Sequence, residues 1–222
     1  MPNYVTNDIR LSGPSNQIEK VLKYISTDND EVDFNTIIPM PESLNVTSGS
    51  IENQAIAVYK YKKLHEDKEL KDLFTSYGSK AKTLDEFADY LLKQEPGLIE
   101  AGEVYVNNIE LYGYSTWYGW CNANWGTKWN AIDSWACVDA FGFQTAWNSV
   151  DNLILTLSKR FADVTFIYSY ADEDFGSNLG KITIKDGEIL DSYYPKEQTD
   201  DAYELAAEIL GYDDREDWDE EE

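Results

Sequence analysis

Two hydrophobic periods alternate along this chain, and their order restricts the fold more than any other feature. Val5, Ile9 and Leu11 share one parity with polar residues between them, a strand that ends at Gly13-Pro14. Ile18, Val21, Leu22 and Ile25 then recur at helical spacing, and Asn16 and Glu19 are placed as a capping box. Phe34 to Ile38 reads as a short buried strand stopped by Pro39 and Pro41, which cannot continue a ladder. From about 50 to 110 the chain is polar and helical. Thr83 and Glu86 form a second capping pattern, Leu84, Phe87, Ala88 and Leu91 an apolar stripe, and Pro96-Gly97 a stop. Trp135 to Phe143 suits strands with a hairpin near Asp139-Ala140. Val150, Leu153, Ile154, Leu157 and Phe161 mark a helix, and Val164, Phe166, Tyr168 and Tyr170 a half-buried strand. Ile182 and Ile184 lead into Asp186-Gly187, a two-residue hairpin signal, and Ile189 begins the return. Ala202, Leu205, Ala206 and Ile209 line a last helix capped by Gly211.

With the helical stretch set aside, the order is β-α-β-β-α-β, the ferredoxin-like split β-α-β plan. The expected class is therefore α+β, with two helices on one face of an antiparallel sheet. Residues 1–196 are expected to form one ferredoxin-like domain with a helical insertion at about 50–110, and residues 197–222 a C-terminal helix and acidic tail. A chain of 222 residues buries roughly 70% of the surface its unfolded form exposes, enough to fold without disulfides or metal.

The charge excludes some partners. The chain has 18 basic and 42 acidic residues, a net charge of −24, so it repels a phosphate backbone. Residues 197–222 hold 13 acids and one base, half of that excess. Hydrophobic content of 42% argues against a disordered chain. The N-terminus lacks the basic and apolar regions of a secretory signal, and no stretch approaches the length of a membrane helix. A cytoplasmic setting is expected, with Cys121 and Cys137 reduced and partly buried.

Several segments together resemble a known family: Met1-Pro2-Asn3-Tyr4-Val5-Thr6-Asn7, Asp33-Phe34-Asn35 with Ile38-Pro39-Met40-Pro41-Glu42, Asn124-Trp125-Gly126-Thr127-Lys128-Trp129-Asn130, and Phe143-Gln144-Thr145-Ala146-Trp147. The combination is similar to the YubB-like ferredoxin-like family of plasmid- and phage-encoded proteins, over most of residues 1–190. Tyr4 stands where many relatives have Trp. The resemblance implies a ferredoxin-like fold and a mobile-element setting, and it brings no catalytic residue with it.

Nothing in the chain forms a catalytic constellation. His65, the single histidine, sits among Lys62, Lys63, Glu66, Asp67 and Lys68, a solvated helix face. Asp28, Asp30 and Asp33, and Asp172, Glu173 and Asp174, are acidic groups without the spacing of a calcium loop. No metal and no cofactor are expected.

Two features remain as binding candidates. Residues 112–147 hold 11 aromatics, six of them tryptophan. Either the rings pack as core while Asn122, Asn124 and Asn130 pin an irregular loop, or exposed indoles form a stacking platform or partner anchor. The second feature is the tail, Asp213, Asp214, Glu216, Asp217, Trp218, Asp219 and Glu220. It is either a solvated charge run or an imitation of a phosphate backbone. The resulting expectation is a non-enzymatic interaction protein of a mobile element. It would occupy the basic nucleic-acid-binding groove of a host restriction or CRISPR effector through the tail and an anchor among Trp117, Trp120, Trp125 and Trp129. The alternative is a small-ligand or carbohydrate-binding module built on the tryptophan segment.

Overall fold

The computed structural model describes residues 2–27, 31–78 and 80–212. The chain forms two compact units, one of Met1–Pro39 with Cys121–Glu222, the other of Met40–Trp120.

In the first unit, β1 (Tyr4–Ser12) passes through Gly13-Pro14 into α1 (Ser15–Ile25). The helix opens with Pro14, whose carbonyl accepts from the Gln17 and Ile18 amides at 2.8 and 3.1 Å. Asn16 therefore lies inside the first turn and caps nothing, contrary to the expected capping box. Residues 34–36 form a short 3₁₀ turn rather than the expected strand. Asp33 causes this: its Oδ1 accepts from the Asn35 amide and side chain, both at 2.9 Å, and bends the backbone away from a ladder.

The strand missing there is β2 (Ile132–Ala136), which forms a hairpin with β3 (Ala140–Ala146). With the five helices of residues 50–124 counted as α2 to α6, the helix after β3 is α7 (Asp151–Arg160), followed by β4 (Thr165–Asp172), β5 (Gly180–Lys185), β6 (Glu188–Tyr193) and α8 (Asp200–Leu210). The six strands are antiparallel in the order β2-β3-β1-β4-β5-β6. Its first four members, with α1 after β1 and α7 after β3, are the ferredoxin-like arrangement. The β5–β6 hairpin extends the sheet beyond β4, and its Asp186-Gly187 turn has φ of 50° and 74° at the two central residues, as that dipeptide requires.

Side chains of β4 alternate between the two faces of the sheet. On one face Phe166 and Tyr168 are fully buried, and the Val150 amide at the start of α7 donates to Tyr168 Oη at 2.9 Å. On the other, Ala171 and Leu179 pack under Ala202, Leu205 and Ala206 of α8. The C-terminal helix, expected outside the domain, thus covers part of the second sheet face. Phe175 stacks on Tyr203 with ring centroids 5.7 Å apart and adds to this contact.

The second unit is helical: α2 (Ser50–Tyr59) runs through a wide turn at Lys60–Leu64, then come α3 (Lys68–Tyr77), α4 (Leu84–Gln94) and α5 (Leu98–Tyr112). α6 (Trp117–Asn124) follows, in a stretch whose sequence pattern indicated no element. The unit is longer than the expected insertion at about 50–110 because Ser43 and Ser115 are tied to Asn108. Ser43 Oγ donates to Asn108 Oδ1 at 2.7 Å, and Asn108 Nδ2 donates to the Ser43 and Ser115 carbonyls at 2.8 and 3.0 Å. The core contains Ala55, Val58, Leu70, Phe87, Leu91, Leu98 and Tyr105. Thr83 caps α4, its Oγ1 accepting from the Glu86 amide at 3.2 Å. Thr83→Ala is expected to lower the stability of this unit by about 1 kcal/mol. Amide exchange in the first turn of α4 would report it, and unchanged protection there would refute the cap's role.

Among the described residues, no helix is long and apolar enough to cross a membrane. Neither cysteine is in a disulfide. Cys121 is buried, and desolvation pushes its thiol up to about 11, which leaves little reactive thiolate at neutral pH. Cys137, expected to be partly buried, lies exposed where β2 turns into β3.

Candidate functional site

The tryptophans of the first unit divide by where the backbone needs support. Trp125 is 3% exposed, donates its indole N–H to the Ile38 carbonyl at 2.8 Å and packs edge-on against Phe34. Asn130 accepts from the Phe34 amide at 2.8 Å and donates to Asp33 Oδ1 at 2.7 Å, so this amide pins the 3₁₀ turn. Asp33 and Asn130 also line a cleft of about 430 Å³ with Val32 and Ser134, where the Val32 amide donates to Ser134 Oγ at 3.0 Å. In the second unit Trp120 is buried, while Trp117 is half-buried and meets Tyr118 edge-on.

The outward-facing indoles are Trp129, Trp135 and Trp147. Trp135 lies across the sheet over Gly142, at a point where a Cβ would stand 2.6 Å from its ring. Trp129 and Trp147 converge on one cation. Thr127 brings them together: its Oγ1 donates to the Ala146 carbonyl at 3.0 Å and accepts from the Ala146 amide at 3.2 Å, so the 126–130 segment runs beside the end of β3. Lys128 Nζ then sits 3.8 Å from the Trp129 ring centroid and 4.0 Å from that of Trp147. The rings stay 38% and 46% exposed.

Trp147 is held in a left-handed conformation, φ 70°, which a bulky side chain rarely adopts. Its amide donates to the Asn3 carbonyl at 2.9 Å, and its carbonyl accepts from Asn178 Nδ2 at 3.0 Å. Asn178 Nδ2 also donates to Asp172 Oδ2 at 3.1 Å, and the Asn178 amide donates to Glu197 Oε1 at 3.0 Å. Asp172 is 6% exposed and takes two further bonds on Oδ1, from Asn3 Nδ2 at 3.2 Å and the Asp174 amide at 2.9 Å. Its carboxylate is thus committed to organising the loop between β4 and β5. The Gln198 amide donates to the Gly176 carbonyl at 2.9 Å and ties that loop to the start of α8. The site is therefore an exposed indole pair around Lys128, backed by the 172–178 loop and flanked by the acidic end of α8.

Of the partner-binding candidates named from the sequence, only Trp129 belongs to this site. Asp213, Asp214, Glu216, Asp217, Trp218, Asp219 and Glu220 lie outside the described residues, as do Asp28 and Asp30. His65 is exposed and ends the wide turn after α2. Among the described residues no group of three or more His, Cys, Asp or Glu side chains is placed to hold a metal ion. Asp172 was named only as part of an acidic group, Lys128, Trp147 and Asn3 only within segments that carry the family resemblance, and Asn178 not at all. Their grouping depends on the start of β1 and the ends of β3 and β4 meeting at one end of the sheet, and only the closeness of Lys128 to Trp129 was visible in the sequence.

A family model described as the ferredoxin-like domain in Api92-like protein matches residues 124–213. The sheet order agrees with that description. The matched stretch starts just before the Thr127–Trp129 segment and runs through α8, so it includes the indole pair and the loop behind it. No curated protein matches the chain in sequence. Among solved structures, the crystal structure of the protein api92 from Yersinia pseudotuberculosis is similar, with 12% identity over 90% of this chain and 100% of that one and a TM-score of 0.45.

Proposed function

We propose that this protein is a non-enzymatic, acidic interaction protein that occupies the basic nucleic-acid-binding groove of a host protein. In this reading it belongs to a mobile genetic element, as its YubB-like sequence features imply, and acts in the cytoplasm against a restriction or CRISPR nuclease. The observation that supports it most is the outer face of α8. Asp200, Asp201 and Glu204 are exposed there with Glu208, all within about 100° of helix circumference. Four carboxylates over nine residues span about 12 Å of axis, a mean gap of about 4 Å. One strand of DNA carries a phosphate about every 3.4 Å. Because α8 packs on the sheet, this row is held in a fixed register and leads directly into the acidic residues 213–222. Glu208 is paired with Lys181 at 3.1 Å, but both side chains are solvated, so the pair opens readily to a stronger basic partner. The first unit holds 29 acids and 10 bases, so the charge is concentrated on the unit that bears α8.

The test is binding of the purified chain to candidate nucleases, measured against salt and in competition with duplex DNA. The full chain is compared with a chain ending at Tyr212 and with a D200N/D201N/E204Q variant. Ending the chain at 196 would instead strip α8 from Ala171 and Leu179 and confound charge with folding. Affinity is expected to fall about tenfold or more in the triple variant and to decline steeply with salt, with DNA competing. Absence of any complex at low salt, or binding indifferent to DNA, would exclude the proposal.

A further inference from the structure

Lys128 is the observation to explain. In a chain with 42 acids for 18 bases, its ammonium lies between two indole faces and, among the described residues, has no carboxylate partner. The second indole reaches it only because Trp147 is held at φ 70° by bonds from Asn178 and to Asn3. Strain in a bulky residue persists where surrounding structure enforces it, and such positions concentrate at ligand clamps. Both rings are left substantially exposed, where burial would have been the more stable use of a tryptophan.

We propose that Trp129 and Trp147 form a cation clamp that receives an arginine side chain of a protein partner in exchange for Lys128. Arginine is the fitting occupant because its guanidinium is planar and weakly hydrated, and stacks on aromatic faces better than an ammonium does. The surroundings complement a basic partner, since Glu197 bonds the Asn178 amide and leads into the acidic first turn of α8. In the free protein Lys128 fills the slot, keeps the rings apart and prevents them from collapsing onto each other. When a partner arginine enters, Lys128 moves into solvent and the carboxylates nearby accept both charges. The clamp rests on the reading of a basic protein partner given above and names the contact that anchors it.

The experiment uses the full chain and an octa-arginine peptide, with affinity measured by calorimetry. Trp147→Gly removes one wall and keeps the backbone bonds, because glycine adopts φ 70° without strain. Trp129→Ala removes the other wall. Each is expected to weaken octa-arginine binding about fivefold, the worth of one solvated cation–π stack. Lys128→Ala is expected to tighten it, and to do so by more in the wild-type background than in the Trp147→Gly background. Removing a positive charge helps any cationic peptide equally in both backgrounds, whereas freeing the slot helps only where both walls stand. Equal gains in the two backgrounds, or unchanged affinity in both tryptophan variants, would overturn the clamp. Self-association of the wild-type chain that Trp147→Gly abolishes would overturn it too, in favour of a second copy as occupant. The clamp and the groove reading fail separately. The tryptophan variants test the clamp on the peptide, and the α8 variant tests the groove reading on nucleases.

Discussion

Gly102→Ala is expected to destabilise the helical unit by on the order of 3 kcal/mol, a large effect for one added methyl group. Gly102 lies in α5 where that helix crosses α2 most closely. A Cβ built there would stand 2.5 Å from Tyr59 Cβ and closer still to the Ala55 carbonyl oxygen. Neither neighbour is the free end of a side chain. The oxygen belongs to the backbone of α2, and Tyr59 Cβ is fixed by the same helix. Relief therefore requires the two helices to separate, which loosens the packing of Ala55, Val58, Leu98 and Tyr105 around the crossing. Alanine is the better helix former at an exposed site by about 1 kcal/mol, so propensity favours the variant and packing opposes it. Hydrogen exchange decides the sign. Loss of protection across α2 and α5, with the sheet amides unchanged, is the expected pattern. Retained protection in α5 would mean that the helices slide apart at little cost.

The same residue shows what the sequence conceals. A glycine inside a helical pattern indicates close approach, but not to what. Alternation identified β1 because one of its faces is buried, and β4 through the same alternation in its first half, and Asp186-Gly187 identified the last hairpin because its turn needs positive φ at both residues. These are local requirements, and local requirements are legible. The error at Phe34 to Ile38 was of another kind. Phe34 is buried as a strand residue would be, yet its amide goes to Asn130, 96 residues away, and the Asn35 amide to Asp33. Hydrophobicity reports burial, and it does not report which partner takes the amides. The tryptophan segment failed to resolve for the same reason. Trp125 is core and Trp129 exposed although they are four residues apart, because Thr127 fastens the chain between them to β3. The acids of α8 were legible as composition, whereas their placement on one solvated face required the helix to be anchored by Ala202, Leu205 and Ala206.

A polar residue in the buried row of β1 was visible in the sequence, and it carries the other large effect. Asn7 shares its parity with Val5, Ile9 and Leu11 and is fully buried. Its Nδ2 donates to the Val5 carbonyl and to Thr145 Oγ1, both at 2.9 Å, and its Oδ1 accepts from Tyr168 Oη at 2.6 Å. Tyr168 Oη in turn accepts from the Val150 amide at 2.9 Å, and Thr145 Oγ1 donates to the Asn148 carbonyl at 2.7 Å. The network links β1, β3, β4 and the start of α7. Tyr168→Phe leaves Asn7 Oδ1 without a donor and the Val150 amide without an acceptor. The expected loss is about 3 kcal/mol, from two buried groups at about 1–3 kcal/mol each. A pH series separates this from simple loss of packing. Burial raises the Tyr168 hydroxyl well above its ordinary pKa, with the Asp151 carboxylate adding to the shift, and Tyr170 is pushed up to about 12 chiefly by burial. Below pH 10 both tyrosines are protonated in the folded and unfolded chains, so their contribution is constant. Above pH 10 the unfolded chain releases protons that the folded chain retains, and stability falls by about 1.4 kcal/mol per pH unit for each such group. Tyr170 stops contributing near pH 12. Tyr61, Tyr105 and Tyr194, and Lys60 and Lys62, are also raised and add slopes common to both chains. Urea unfolding from pH 8 to 11 should therefore show the wild type about 3 kcal/mol more stable than Tyr168→Phe at pH 8, with the gap narrowing above pH 10. A gap below about 1 kcal/mol at pH 8 would mean that the network is not needed. A gap that stays constant through pH 11 would mean that Tyr168 ionises in the folded chain as easily as in the unfolded one.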